Sequence, residues 1–313
     1  MSKIIKKALI IGIGGGADII GTIPSKIYFE NLGIECILGG LPWERYSIDP
    51  YPGPRPFEQI INKKIINDSL CWTSKKTRTF DNLIFSEVKT LKYVKNKILL
   101  VNIFNSSDKI ADDINSFCNS KKIDMVIGID VGGDILANGS ESKLASPLAD
   151  SIMLNVLCKL SKTIVTKIGV LGYGSDGELT QDEINKSLSI ILSKKGLFST
   201  IGINRISHKI MKKLINNIET DASRLPIMAY EGKFGPTKIR RGRLEVGVHP
   251  MSQITFMLNP FVILKNISKT SKLIYNSEGL LDSSNLLISN GYPSELNYEI
   301  NKHIKIKEVN NIK

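Results

Sequence analysis

The sequence predicts an α/β protein built on a Rossmann-like, doubly wound and mostly parallel sheet, with a mixed α+β C-terminal part. Three observations carry this prediction. Short β-branched runs alternate with amphipathic helical patterns through residues 1–200, glycine-rich turns follow three of the strands, and one such turn opens the first helix. Residues 201–313 mix helical and strand-like segments, and we expect them to pack on the 1–200 core as one unit.

Composition places the chain among ordinary globular proteins, with 42% apolar and 23% charged residues. No apolar run approaches the ~20 residues that cross a bilayer. The four cysteines are scattered without C-x-x-C spacing, which argues against a disulfide framework or a structural zinc site. We therefore expect a cytoplasmic protein without membrane attachment. The sequence leaves open whether it forms a homo-oligomer.

The formal charge of +12 raises the question of nucleic-acid binding. Most of the excess is lysine dispersed along the chain, which is typical of a solvated surface. One denser basic segment occupies residues 233–243, but on a strand its side chains would alternate between two faces. Composition therefore gives little support to nucleic-acid binding.

Strands and helices alternate from residue 7 onward. Residues 7–13 predict a strand that ends in glycines, a helix follows to residue 31, and residues 34–38 predict a second strand. This order implies a parallel pair with a right-handed crossover. Residues 41–56 contain too much Pro and Gly for a regular element, and residues 69–93 indicate a short strand and a helix.

The second half of the core repeats the alternation. Ser146 is a favoured N-cap and Pro147 suits the first position of a helix. The remaining predicted elements, in chain order, are a strand at 98–104, a helix at 107–119, a strand at 125–129, a helix from 147, a strand at 165–171, helices at 181–195 and 208–218, strands at 243–248 and 254–258, and a polar tail.

The first glycine–acid loop is GIGGGAD at residues 12–18, directly after the first strand. It fits the G-x-G-x-x-A form of the dinucleotide fingerprint, so the backbone amides of Gly14, Gly15 and Gly16 are candidate phosphate ligands. However, the second strand ends in LGG, without the acid that binds ribose hydroxyls, and Asp18 would face a pyrophosphate with like charge. The loop therefore argues against NAD and leaves other nucleotides open.

Two further loops repeat the theme, GIDVGGD at residues 128–134 and GYGSDGE at residues 172–178. Loops that leave the carboxyl ends of parallel strands meet at one crevice. We therefore expect their acids to converge on one ligand, with Asp130, Asp134 and Asp176 as candidate catalytic residues. The remaining candidate ligand-binding residues are Asp18, Gly132, Gly133, Glu141, Ser146, Gly174 and Glu178.

Carboxylates that converge in this way have three uses. They bind a hard cation, with Asp130 and Asp134 as candidate Mg²⁺ ligands; they grip sugar hydroxyls; or one of them moves a proton. The alternative is that each aspartate only bonds the backbone of its own turn. Three such loops, all leaving strands, favour a shared ligand.

Arginines are the candidate anion ligands. Arg55 sits on the stiff segment Pro54-Arg55-Pro56, and Arg240 belongs to the basic segment; either could bind a phosphate or carboxylate bidentately, although each could be a plain surface residue. The chain has no H-E-x-x-H, G-x-S-x-G or P-loop motif, which argues against a zinc hydrolase, an α/β-hydrolase and a P-loop NTPase.

Together the motifs resemble a known family. They are GIGGGAD, ERYSIDPYPGPRP at residues 44–56, GIDVGGDILANGSE at 128–141, SPLADS at 146–151, GYGSDGELT at 172–180, TDAS at 220–223 and IRRGR at 239–243. The chain resembles DUF1152, a mainly archaeal family of unknown function. This resemblance implies a Rossmann-like fold and brings no established activity. The second loop is also similar to a loop in D-glutamate cyclase-like lyases, by analogy only.

The leading hypothesis is an enzyme that acts on a small phosphorylated or carboxylated metabolite, with nucleotide-linked compounds included, through transfer or lyase/isomerase chemistry. Mg²⁺ or a nucleotide is the candidate cofactor. A non-catalytic nucleotide or metabolite sensor would use the same crevice. A third hypothesis is an RNA-associated protein that works through residues 233–243.

Overall fold

The computed structural model describes residues 4–94 and 97–311. Residues 1–3 and 95–96 of the predicted 1–200 core, and residues 312–313 of the predicted C-terminal part, lie outside the described residues. The strands are β1 Lys7–Gly12, β2 Glu35–Gly40, β3 Ile60–Ile61, β4 Lys64–Ile65, β5 Leu70–Trp72, β6 Arg78–Thr79, β7 Ile98–Val101, β8 Met125–Val131, β9 Val165–Leu171, β10 Leu197–Gly202, β11 Gly235–Ile239, β12 Leu244–Val248 and β13 Ile254–Leu258.

The α-helices are α1 Thr22–Asn31, α2 Ser86–Thr90, α3 Ser107–Lys121, α4 Pro147–Leu160, α5 Gln181–Ser193, α6 Arg205–Ile215, α7 Arg224–Tyr230, α8 Pro260–Asn266, α9 Lys269–Leu273, α10 Leu280–Ser289 and α11 Glu295–Asn311. Short 3₁₀ turns cover Asp18–Gly21, Phe57–Gln59, Asp134–Leu136, Arg240–Gly242 and Pro250–Gln253. Within the described ranges, no helix is long and apolar enough to cross a membrane.

One nine-stranded sheet organises the molecule, in the order β10-β13-β9-β8-β1-β2-β7-β5-β4. The five central strands are parallel, and when they are numbered in chain order they follow 3-2-1-4-5, which is the Rossmann order 3-2-1-4-5-6 without the sixth strand. Antiparallel strands extend both sides. The predicted fold class, a Rossmann-like α/β protein, is confirmed.

Strand β1 shows why the sheet is covered on both faces. Leu9 and Ile11 are fully buried in one core cluster, whereas the alternate residues Ala8 and Ile10 are buried in the other. The first cluster contains residues of α3 and α4, and the second contains residues of α1 and α6. A strand buried on both faces reads as a continuous apolar run, and this is the pattern that made β1 visible in the sequence.

The region after residue 200 adds a strand to the central sheet and differs from its prediction near the C-terminus. Strand β13 lies between β10 and β9. The expected polar tail contains the helices α8–α11 instead. Their buried residues, such as Ile263, Leu287 and Leu296, are few and widely spaced, and the polar composition of these short helices hid the pattern.

Candidate functional site

The site lies where the strand order reverses, between β1 and β8. Backbone hydrogen bonds join the loops there: Ile13 N donates to Ile129 O (2.9 Å), Gly132 N to Leu171 O (2.8 Å), and Gly174 N to Gly132 O (2.6 Å). The three glycine–acid loops therefore form one continuous surface at the carboxyl ends of the strands, which is where open α/β sheets bind ligands.

Three buried aspartates meet at this surface. Asp130 lies near the end of β8, Asp134 begins the following 3₁₀ turn, and Asp150 lies in the first turn of α4; their exposed fractions are 1%, 9% and 2%. One carboxylate oxygen of each lies within 4.8 Å of the others. Sequence reasoning missed Asp150, although an acid in the first turn of an otherwise apolar helix was an available signal.

Asp18 and Asp176 flank these three residues because two glycines let them approach the backbone. A methyl group added at Gly14 would lie 2.8 Å from Asp18 Oδ2 and 3.1 Å from Asp150 Oδ2. One added at Gly132 would lie 2.3 Å from Asp176 Oδ2. The structure thus brings together five carboxyl groups, called here the acid cluster: Asp18, Asp130, Asp134, Asp150 and Asp176.

Burial and mutual repulsion make these groups reluctant to ionise. Burial raises the pKa of Asp18 to about 7, and burial with the charge of Glu178 raises the pKa of Asp176 to about 7. Burial and neighbouring carboxylates hold the pKa values of Asp130, Asp134 and Asp150 well above the usual range. Such a cluster needs protons or cations, and it marks a candidate functional site.

Glu178, also predicted, anchors the edge of the cluster. It accepts hydrogen bonds from Ala145 N (2.8 Å), Ser146 N (2.9 Å), Ser146 Oγ (2.5 Å) and Arg240 Nη2 (3.1 Å). The predicted residues Ser146, Glu178 and Arg240 therefore lie together. The Ser146 hydroxyl is committed to Glu178 and makes no capping bond to α4, in contrast to the sequence prediction.

The N-terminus of α4 is capped from a distant part of the chain. Glu295, the first residue of α11, accepts hydrogen bonds from Leu148 N (2.9 Å) and Ala149 N (2.8 Å). This bidentate contact fixes the helical turn that carries Asp150. No local sequence pattern indicates it, because the partners are almost 150 positions apart.

Two arginines, Arg45 and Arg240, lie beside the acid cluster and are called here the arginine rim. Asp221 accepts from Arg240 N (2.7 Å) and lies 3.8 Å from Arg45 Nη1 and 3.6 Å from Arg224 Nη2. Arg45 also lies against Gly16. The side chains of Arg45 and Arg240 are 40% and 42% exposed, so both can reach a ligand. Sequence reasoning singled out Arg240 but missed Arg45 and Asp221, which lie in motifs shared with the resembled family.

The first glycine loop differs from a standard phosphate cradle. Gly14 N donates to Asp18 Oδ2 (2.9 Å) and Gly16 N donates to Trp43 O (2.6 Å), so two of the three amides are used within the protein. A 3₁₀ turn also separates the loop from α1, which begins only at Thr22. Gly15 is the amide to which the phosphate prediction still applies.

Other predicted residues shape the loops. Glu141 accepts from Asn138 N (2.8 Å) and Gly139 N (2.9 Å), and so closes its own turn. Gly133 and Gly174 have φ values of +127° and +88°, which favour glycine, and they allow the second and third loops to turn sharply. These residues support the site without adding a charged group to it.

Arg55 is held inside the 41–56 segment instead of serving as an anion clamp. Its Nε and Nη2 donate to Asp49 (2.7 and 2.6 Å), its Nη1 donates to Gln59 (2.9 Å), and its Nη2 also donates to Asp81 (2.8 Å). The predicted bidentate contact with an anion exists, but Asp49 is the anion. Arg55 thus stiffens the loop and has its donors occupied.

Helix α11 supports the first glycine loop through Glu299. Its Oε2 accepts from Trp43 Nε1 (3.0 Å) and Gly53 N (2.8 Å), while Trp43 O accepts from Gly16 N. Burial raises the pKa of Glu299 to about 7, so the folded state retains a proton that the unfolded chain, with a pKa of about 4.3, has released.

Stability should therefore fall as the pH rises from about 4 through about 7, by on the order of 3 kcal/mol for this residue. We expect Glu299→Gln, which keeps an acceptor for both donors, to leave the melting temperature nearly unchanged at pH 4 and to raise it by roughly 5 °C at pH 8. Glu308 is exposed on the same helix, so Glu308→Gln is the control and should leave the melting temperature unchanged at both pH values. Equal effects of Glu299→Gln at both pH values would contradict this assignment.

Comparisons with known proteins give one finding. The profile of a family described as "Protein of unknown function (DUF1152)" matches residues 9–303. Comparison with curated proteins gave no match, and comparison with solved structures gave none either. The matched region includes all three glycine–acid loops, the arginine rim and the supporting glutamates Glu295 and Glu299. Because the match covers nearly the whole chain, the chain belongs to the DUF1152 family.

Proposed function

We propose that the protein is an enzyme that acts on a small phosphorylated or carboxylated metabolite bound beside the acid cluster. One observation carries this proposal: buried carboxyl groups that resist ionisation adjoin half-exposed arginines at the point where the strand order reverses. A purely structural role explains neither the cost of clustering five acids nor the accessible positive rim.

The rim supports an anionic substrate. The guanidinium of Arg240 contacts Glu178, its backbone N donates to Asp221, and Arg45 lies beside Asp221, yet the two arginine side chains stay 42% and 40% exposed. Guanidinium groups bind phosphate and carboxylate oxygens in a bidentate manner. A metabolite with one anionic group on this rim would place its remaining atoms over Asp18 and Asp176.

The acid cluster supports the chemistry. A carboxyl group with a pKa of about 7, as at Asp18 and Asp176, is both protonated and ionised in appreciable amounts near neutral pH. Such a group can donate or accept a proton during the reaction. In a transfer reaction, such a carboxyl group can protonate the leaving group. In a lyase or isomerase reaction, it can remove a proton from carbon or protonate a departing oxygen, so both classes fit the site.

Nothing in the basic segment favours RNA binding over this proposal. Lys233 lies 2.6 Å from Glu231, Arg241 lies 3.9 Å from Glu219, and Arg240 contacts Glu178. Each of these cations thus has an acidic neighbour. A cytoplasmic location, also part of this proposal, is consistent with four buried cysteines that form no disulfide.

The rim is tested with Arg240→Ala. Loss of a charged hydrogen-bond donor costs about 1.5–3 kcal/mol, so we expect the affinity for the best phosphorylated or carboxylated ligand to fall by about 10- to 150-fold. The ligand is first found by a thermal-shift screen of nucleotides, sugar phosphates and carboxylic acids, because a ligand of the native state raises the melting temperature. Arg241 lies next to Arg240 in the turn between β11 and β12, and its side chain is 78% exposed, so Arg241→Ala is the control. Unchanged affinity in Arg240→Ala would contradict the role of the rim.

The same screen separates an enzyme from a sensor. Asp176→Asn removes an ionisable group without changing the size of the side chain. Under the enzyme proposal, the hits are converted to product and Asp176→Asn abolishes turnover while it still binds ligand. Binding of the hits without product formation in the unmodified protein would favour the sensor and overturn the enzyme proposal.

A further inference from the structure

The carboxylates of Asp130, Asp134 and Asp150 are arranged as ligands of one ion. They come from β8, from the 3₁₀ turn that follows it and from the first turn of α4, and one oxygen of each lies within 4.8 Å of the others. Oxygens bound to one cation at about 2.1–2.4 Å lie at most about 4.2–4.8 Å apart. The three groups thus already lie close to the spacing that a shared cation requires.

A second observation points to a missing ligand. Asp150 is 2% exposed, and its Oδ1 is buried without a hydrogen-bond partner. Asp130 Oδ2 receives only one long hydrogen bond, from Ile135 N at 3.4 Å. Buried polar atoms are nearly always paired, so a buried oxygen without a partner, on one of three carboxylates grouped this closely, calls for a positively charged partner.

The protein offers no such partner itself. In the described part of the chain, no ion pair involves Asp130, Asp134 or Asp150; the ion pairs of Arg45 and Arg240 are with Asp221 and Glu178. Within the described residues, protons are the internal alternative to a cation, and Asp130 and Asp134, whose carboxyl groups are close enough for a hydrogen bond, can share one. A shared proton between those two leaves the Oδ1 of Asp150 unpartnered.

We infer that Asp130, Asp134 and Asp150 bind one divalent cation, Mg²⁺ or Mn²⁺, with Asp150 as the ligand that sequence reasoning did not identify. An all-oxygen ligand set selects hard cations over zinc or copper. Three protein oxygens would leave positions of an octahedral ion open to water or to a bound metabolite. The binding of the ion stands on its own geometry; its further role, bridging the metabolite to the acid cluster, rests on the proposed function.

The experiment measures metal binding without any substrate. Protein stripped with a chelator is titrated with Mn²⁺, and free Mn²⁺ is followed by electron paramagnetic resonance. We expect one Mn²⁺ per chain, displaced by Mg²⁺. Asp150→Asn should weaken binding by more than about 100-fold, since loss of an outer-shell partner alone weakens metal binding by about 10- to 100-fold.

Matched variants keep the result interpretable. Asp182→Asn changes an exposed acid in the first turn of α5, as Asp150→Asn does in α4, and should bind Mn²⁺ normally. Asp150→Asn relieves repulsion in the metal-free protein, so its melting temperature without metal should equal or exceed that of the unmodified chain, while the rise caused by Mg²⁺ disappears. Asp134→Asn provides a second ligand variant with the same expected loss.

Two outcomes would overturn the inference: absence of stoichiometric Mn²⁺ binding to the unmodified chain, or equal Mn²⁺ affinity in Asp150→Asn and Asp182→Asn. Failure of the proposed function gives a different result. One Mn²⁺ would still bind through Asp150, but the ligand screen would yield no metabolite whose affinity depends on Arg240.

Discussion

Replacing Gly132 with alanine is expected to disrupt the site severely. The new methyl group would lie 2.3 Å from Asp176 Oδ2, 2.4 Å from its Cγ and 2.7 Å from its Cβ, so moving the carboxylate alone does not relieve the clash. The φ of +145° adds strain of about 1–3 kcal/mol. We expect turnover and Mn²⁺ affinity to fall by at least about 100-fold, as misplacement of about 1 Å can cause.

Two further variants separate strain from collision. Gly33 also has a positive φ, of +79°, but an added methyl group there meets nothing within 4 Å. Gly33→Ala should therefore cost only about 1–2 kcal/mol of stability and leave the site intact. In the Gly132→Ala protein, a second change of Asp176→Gly removes the Cβ and the carboxylate that the new methyl group meets, so it should recover the stability lost to the collision without restoring turnover, which a double-mutant cycle measures directly. Normal turnover in Gly132→Ala would contradict this prediction, because the close contact between Gly132 and Asp176 would then not be needed for activity.

The second large effect is expected at Arg55, on stability and not on ligand affinity. Asp49 is 3% exposed and is held by two hydrogen bonds from the Arg55 guanidinium. Arg55→Ala leaves that carboxylate buried and unpaired, which should destabilise the protein by about 3–5 kcal/mol. Chemical denaturation monitored by circular dichroism measures this loss.

Asp81→Asn is the control for Arg55→Ala. Asp81 contacts the same guanidinium, but its side chain is 61% exposed, so the change should cost less than about 1 kcal/mol. If Arg55→Ala were as stable as the unmodified protein and weakened ligand binding instead, the role of Arg55 as an anion ligand would be restored.

The parts that the sequence predicted well are those with a local pattern. The apolar run of β1 and the glycines after β1, β8 and β9 identify parallel strands and the edge at which their loops meet. That rule alone was enough to group Asp18, Asp130, Asp134 and Asp176, because loops at the carboxyl ends of neighbouring parallel strands are close whatever the intervening sequence.

The parts that the sequence did not predict depend on contacts between distant segments. Strands β3, β4 and β6 have only two residues each, too few to show alternation. The roles of Glu295 and Asp221 arise from partners on other elements, and Asp49 reaches Arg55 only because the 41–56 segment folds back on itself. The division of the chain into residues 1–200 and 201–313 and the small phosphorylated or carboxylated ligand stay predictions.

The contact between Trp43 and Glu299 joins residues 256 positions apart. While the chain is being synthesised, the first glycine loop therefore lacks its support until almost the whole family-matched region has left the ribosome. Proteins dominated by such long-range contacts fold slowly, and their incomplete chains expose surface that aggregates. We expect nascent chains that end before α11 to remain sensitive to proteases and to depend on chaperones, even when every strand of the sheet has already been made.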